Sequence, residues 1–134
     1  MSHYTEVQTE FTDRDCLVKA LQKMGYTVEV HEGAGAHLYG YQGDKRSQLA
    51  NVIVRKRFIN DSSNDYGWKF DPKTKKFVMI ESEYDVRSKH LKTDQLKQIY
   101  AEEKLLKEAR RRGFRIIKRE TKGGKILMTL RRSF

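Results

Sequence analysis

Residues 87–134 read RSKHLKTDQLKQIYAEEKLLKEARRRGFRIIKRETKGGKILMTLRRSF, and the division of this run into helix and strand decides the architecture of the chain. From Thr93 to Arg112, the apolar residues Leu96, Ile99, Leu106 and Ala109 return on one helical face, flanked by Tyr100 and Leu105. Lys97, Lys104, Lys107 and Arg111 fall together on the opposite side. The spacing predicts a helix roughly 30 Å long at 1.5 Å per residue. Glu102 and Glu103 narrow the apolar stripe, so this helix is expected to lie on a sheet. Gly113 stops the pattern, and beyond it two apolar and basic runs flank Gly123-Gly124, a hairpin signature. The stretch carries 16 Lys and Arg against 5 Asp and Glu, whereas residues 1–86 carry 12 against 13. The formal charge of +10 is therefore +11 here and −1 elsewhere.

The hairpin's register follows from its turn. A two-residue turn at Gly123-Gly124 would mix apolar and polar residues on both faces. A three-residue loop, Lys122-Gly123-Gly124, gathers Phe114 and Ile116 with Ile126, Met128 and Leu130, because a one-residue slip moves every side chain across the ribbon. The longer loop is the expected one. It sets Arg115 opposite Arg131 on the other face, with Arg119 nearby, and like charges directly across strands repel. An anion is expected among them, either external or supplied by Glu6 and Glu10.

Working outward, His3 to Phe11 alternates as a half-buried strand, with Val7, Thr9 and Phe11 on one side. Thr12 offers a helix N-cap, and Leu17, Ala20, Leu21 and Met24 form one face before Gly25. Tyr26, Val28 and Val30 alternate as a second strand, and Glu32-Gly33-Ala34-Gly35-Ala36 then reads as a mobile loop. Its glycines lack the third glycine and following helix of a dinucleotide fingerprint. Leu49 to Phe58, Tyr66 to Phe70 and Lys76 to Ile80 are three strand-like runs joined by polar turns, which predicts an antiparallel meander. The expected fold is α+β, mainly an antiparallel sheet with two helices packed on it, in the order β-α-β-β-β-β-β-α-β-β.

A chain of 134 residues with 37% hydrophobic residues supplies one core, so a single domain over residues 1–134 is expected, with the basic helix and hairpin at 87–134. Cys16 is the one cysteine; it cannot form an internal disulfide and sits in a helical pattern, which fits a packed thiol in a reducing compartment. No apolar run reaches the roughly 20 residues that cross a bilayer, and Met1-Ser2-His3-Tyr4 begins no signal-peptide core. The expected setting is the cytoplasm or an organelle stroma, with no membrane association.

Several short motifs occur in order: Met1-Ser2-His3-Tyr4, Met24-Gly25-Tyr26, Tyr39-Gly40-Tyr41-Gln42-Gly43, Asp65-Tyr66-Gly67-Trp68, Tyr100-Ala101, Gly113-Phe114 and the run from Ile126 to Arg132. In these the chain resembles the small hypothetical proteins of algal plastids and cyanobacteria that form the conserved chloroplast reading frame family numbered thirty-five. The resemblance implies an intracellular α+β domain and brings no established activity. The chain departs from that pattern after Met79-Ile80, where Glu81-Ser82-Glu83-Tyr84-Asp85 replaces an aromatic-rich stretch.

Nothing in the chain has the spacing of a catalytic or metal centre. Cys16 has no histidine beside it, and His3, His31, His37 and His90 lack metal-site spacing, although His31 and His37 flank the glycine loop. Glu81, Glu83 and Asp85 alternate at strand spacing, so they would project to one side, either as a divalent-cation site or as a solvated strand end facing the basic segment. The protein is expected to be non-catalytic, with no cofactor and no metal. Its basic helix and hairpin are expected to contact nucleic-acid phosphates through Lys97, Lys104, Lys107, Arg110, Arg111, Arg112, Arg115, Arg119 and Arg131. Tyr39, Tyr41, Tyr66 and Trp68 are candidates for stacking on bases. Three other readings fit the same charge: a solubilising face, an adaptor docking an acidic protein partner, and a sponge in which Arg115, Arg119 and Arg131 hold a phosphorylated small molecule beneath Gly33 to Gly35.

Overall fold

Three short runs, at Val52–Val54, Tyr66–Asp71 and Lys76–Ser82, are buried on both sides of a sheet and build the centre of the fold. The computed structural model describes residues 3–132, which leaves Met1 and Ser2 of the first motif outside it. Strands β1 (Tyr4–Gln8), β2 (Glu29–Val30), β5 (Val52–Val54), β6 (Tyr66–Asp71) and β7 (Lys76–Ser82) form one five-stranded antiparallel sheet in the order β1-β7-β6-β5-β2. Two further hairpins are separate two-stranded sheets: β3 (Ala36–Tyr39) with β4 (Lys45–Ala50), and β8 (Phe114–Lys122) with β9 (Lys125–Arg132). The helices are α1 (Arg14–Lys23), α2 (Glu83–Ser88) and α3 (Thr93–Arg111). The class is α+β. Between α1 and α2 there are six strands where five were expected, because β3 and β4 bury only Leu38 and Ala50 and do not stand out as a pair.

Because successive side chains on a strand point to opposite faces, the sheet has two apolar sides. Val52, Val54, Tyr66, Trp68, Phe77 and Met79 meet Leu17, Ala20 and Leu21 of α1 and Leu96 and Tyr100 of α3. Ile53 and Ile80 meet Leu38 and Ala50 of the β3–β4 hairpin on the other side. Gly67 sits between those layers; a Cβ there would lie 2.6 Å from Ala50 Cβ and 2.9 Å from Leu38 Cδ2. Gly67→Ala is therefore expected to cost about 1–3 kcal/mol, the usual range for overpacking. A urea titration reads that loss, and an unchanged midpoint would show that the hairpin does not close on the sheet at this point.

Local hydrogen bonds decide several details. Thr12 and Asp13 both donate backbone N–H groups to the Tyr100 hydroxyl, at 2.9 and 3.1 Å. This ties Thr12 to α3, and the N-cap of α1 is Asp13, whose carboxylate accepts from Cys16 N at 3.1 Å. The glycine loop is pinned: Asn51 Nδ2 donates to His31 O and Gly33 O at 3.0 Å each, and Lys69 Nζ donates to Ala34 O at 2.6 Å.

The carboxylates after β7 do not continue a strand. Ser82 caps α2 by accepting from Tyr84 N at 3.2 Å, and the helical turn sends Glu83 to solvent and Asp85 into the interior. Glu81 and Asp85 are buried, so neither the shared strand face nor a solvated strand end exists there.

Arg55 ties the sheet to the β3–β4 layer. Its guanidinium donates to both Glu29 carboxylate oxygens at 2.8 and 2.9 Å, to Asp65 Oδ2 at 2.8 Å and to His37 O at 2.9 Å. Those hydrogen bonds hold the Glu29 carboxyl at about 2, down from 4.5. The unfolded chain takes up that proton first, so the pair's contribution is complete above about pH 4.5 and is lost as the pH falls toward 2. Acid titration of stability should steepen in that window in the native protein and flatten in Glu29→Gln; equal profiles would contradict the assignment.

Candidate nucleic-acid interface

The β8–β9 ribbon closes on a two-residue turn. Lys122 pairs with Lys125, and Gly123 and Gly124 have φ of 56° and 77°, the left-handed values that a tight hairpin turn needs at both central positions. The three-residue loop expected from the apolar pattern is absent. A β-bulge at Ile117 does its work instead: the ladder skips from Ile116↔Leu130 to Lys118↔Thr129. The extra residue shifts the phase of the outer half of the strand, so apolar residues still collect on one side.

That shift sorts the arginines. Arg115 faces Arg131, as expected, but Arg119 faces Met128 on the opposite side of the ribbon. There it meets α3, with Arg119 Nε and Nη2 donating to Glu102 at 2.5 and 2.9 Å. These bonds draw the Glu102 carboxyl below its ordinary value. Two further contacts hold the ribbon along the helix: Gln98 Nε2 donates to Gly124 O at 2.7 Å at the tip, and Leu106, Ala109, Phe114 and Ile116 line a hollow of about 310 Å³ at the base.

The helical ridge is largely satisfied from within. Lys107 Nζ lies 2.5 Å and Lys104 Nζ 3.7 Å from Asp13 Oδ2. Burial alone would raise the Asp13 carboxyl; the Lys107 and Cys16 hydrogen bonds and the lysine charges bring it below its usual value. Arg111 and Arg112 reach Glu108 at 3.0 and 4.0 Å. Of the residues expected at the interface, Lys97, Arg110, Arg115 and Arg131 have no ion-pair partner among the described residues. Arg110 lines the basal hollow from the helix, and Arg115 borders it from the ribbon. The apolar stripe of α3 also divides, with Leu96 and Tyr100 in the main core and Leu106 and Ala109 at the ribbon's hollow.

Three of the four outward rungs of the ribbon carry basic residues. Arg115 opposes Arg131, Lys118 opposes Thr129, Glu120 opposes Leu127, and Lys122 opposes Lys125. The one carboxylate is 3.3 Å from Lys118. The apolar pattern does not single out Lys118, Lys122 and Lys125; a two-residue turn at Gly123-Gly124 sets Lys122 against Lys125, and the bulge at Ile117 brings Lys118 to the same face. Ile117 and Leu127 lie among these cations and are 48% and 47% exposed.

Tyr66 and Trp68 are fully buried and cannot stack on a base. Tyr39 and Tyr41 are exposed, but they belong to the β3–β4 layer, across the sheet from α3 and its ribbon. The glycine loop lines a separate cleft of about 810 Å³ with Arg14, His31 and Lys69, so the three arginines of the sponge reading do not gather beneath it. Among the described residues there is no grouping of His, Cys, Asp and Glu able to hold a metal ion, and no helix is long and apolar enough to cross a membrane.

A family model described as a protein of unknown function, DUF1257, matches residues 20–127 of the chain. No curated protein and no solved structure matches it.

Proposed function

We propose that this chain, which belongs to the DUF1257 family, is a non-catalytic binding protein that lays the outward face of its β8–β9 ribbon along the phosphate backbone of a nucleic acid. The observation that carries the reading is the rung Arg115↔Arg131, a pair of cations held face to face with no counter-ion among the described residues. A like-charged rung costs stability in the free protein, and phosphate oxygens, which accept paired N–H bonds from guanidinium groups, relieve it.

The geometry supports the scale of such a contact. From Lys125 to Arg131 the outward rungs extend roughly 20 Å at 3.4 Å per residue. Phosphates repeat every 3.4 Å of axis along one strand, so the ribbon covers about six of them. B-form major grooves admit a two-stranded ribbon of this kind. No base-reading side chain is assigned, and the contact is proposed to be independent of sequence.

Fluorescence anisotropy with labelled single-stranded RNA, single-stranded DNA and duplex DNA tests the proposal. Binding is expected at low salt and should weaken steeply between 50 and 200 mM salt, as counter-ion release demands. Absence of binding at low salt would refute it. The resemblance of the motifs from Met24-Gly25-Tyr26 to Gly113-Phe114 to chloroplast reading frame family thirty-five implies an intracellular protein, and we propose the cytoplasm or an organelle stroma as its setting.

A further inference from the structure

The outermost strand of the main sheet has an unused side. β1 pairs only with β7, in the register Tyr4↔Ser82 through Gln8↔Val78. Glu83 N donates to His3 O at 2.8 Å, which makes the odd-numbered residues the hydrogen-bonded rungs of this ladder. The backbone N–H and C=O groups of Tyr4, Glu6 and Gln8 consequently point away from the sheet, and among the described residues nothing binds them.

Beside that edge runs a groove of about 560 Å³, between the end of β1 and the exposed side of α3. Phe11, Tyr100, Ala101 and Leu105 give it an apolar floor, and Lys97 and Lys104 stand at its edge. Leu105 is 43% exposed. The carboxylates at the rim are occupied: Glu10 meets Lys76 at 3.1 Å and Glu108 meets Arg111 at 3.0 Å. Lys97 is unpaired among the described residues, and Lys104 is held only loosely, 3.7 Å from Asp13. The charge left over at the groove is positive.

We infer that this groove binds an extended acidic peptide, which adds to the free edge of β1 as a further strand and seats a large apolar side chain on Tyr100, Ala101 and Leu105. Strand addition supplies affinity through the backbone groups of Glu6 and Gln8, and the groove supplies specificity through alternate side chains. Side chains on one face of a strand recur every second residue. The partner therefore carries an acidic residue, for Lys97, two positions from its apolar anchor. This site is separate from the ribbon, which packs on the Gln98 and Glu102 side of α3.

Panning a random decapeptide display library on the native protein, with subtraction on Ala101→Trp, tests the inference. Ala101 and Lys97 are both exposed, so neither change disturbs the core. Selected peptides should carry the acidic and apolar pair at that spacing. The synthesised winner should bind at least tenfold more weakly to Ala101→Trp and to Lys97→Glu, should slow amide exchange at Glu6 and Gln8, and should bind Arg115→Glu/Arg131→Glu as well as the native protein. The inference is overturned if no peptide survives subtraction, if the winners lack an acidic residue, or if the β1 amides stay unprotected. Self-association of the native protein that Ala101→Trp abolishes would also overturn it, by naming a second copy as the occupant.

Discussion

Replacing Asp85 with alanine is expected to lower the stability of the fold by about 3–5 kcal/mol, because each buried donor left without a partner costs about 1–3 kcal/mol. The carboxylate is fully buried and accepts from Ser63 Oγ and Asn64 N at 3.1 Å, from Asn64 Nδ2 at 3.2 Å and from His90 Nδ1 at 2.9 Å. Ser63 and Asn64 are themselves buried, so the substitution strands several donors away from water, each with its own desolvation cost. Native domains hold only about 5–15 kcal/mol in total, and thermal unfolding of Asp85→Ala should start well below that of the native protein. A loss under about 1 kcal/mol would mean that the turn before β6 does not hang on this group.

The same carboxylate leaves a spectroscopic mark. Burial, and then the charge of Asp85, push the Glu81 carboxyl above its ordinary range. In Asp85→Asn, which keeps most of the shape and removes the charge, Glu81 should titrate lower than in the native protein when followed by carboxyl carbon NMR. An unmoved titration would separate the two groups.

Reversing the basal rung is the second large effect. Arg115→Glu/Arg131→Glu should weaken nucleic-acid binding by about 10- to 100-fold at low salt. It should also reduce the slope of log affinity against log salt by roughly two, since each lost phosphate contact removes about 0.9. Stability provides the control. Both side chains lie on the outward face of the ribbon, and Arg131→Glu alone replaces repulsion across the rung with attraction. That single change should raise stability by about 0.2–1 kcal/mol while still lowering affinity. Unchanged affinity in the double variant would dismiss the ribbon as the interface. Arg119→Glu is the contrasting case: it sets two carboxylates against each other at Glu102 and should loosen the ribbon from α3.

The parts of the fold that could be read from the residues are those with an unbroken period. Leu17, Ala20 and Leu21 keep one rhythm through α1, and the apolar runs of β6 and β7 appear where the residues place them; the run from Leu49 to Phe58 is instead cut at Asn51 into the end of β4 and the short β5, and it closes in a 3-10 turn at Lys56–Phe58. Where two rhythms compete, the reading fails. Glu81, Glu83 and Asp85 fit a strand by spacing, but the Ser82 hydroxyl captures Tyr84 N and starts a helix, a choice made by one hydrogen bond. The β3–β4 hairpin escaped because only Leu38 and Ala50 of its strands are buried, too few for a pattern.

The candidate interface shows both outcomes at once. The excess charge and the pairing of Arg115 with Arg131 were legible. Their separation from Arg119 was not, because parity along a strand holds only while the ladder is regular, and Ile117 breaks it. Likewise Lys104 and Lys107 look like a solvated ridge until the fold brings Asp13, about ninety residues earlier, up against them.

Ile117 also makes the two strands of the ribbon unequal, nine residues in β8 against eight in β9. Paired rails of different length cannot run straight: the longer takes the outside of a curve, and the right-handed twist tightens where the extra residue is lodged. The rungs Arg115↔Arg131 and Lys122↔Lys125 are thus turned relative to each other like treads on a spiral stair. A flat acidic face would meet one tread and miss the other, whereas a charged surface that winds about its own axis can follow both.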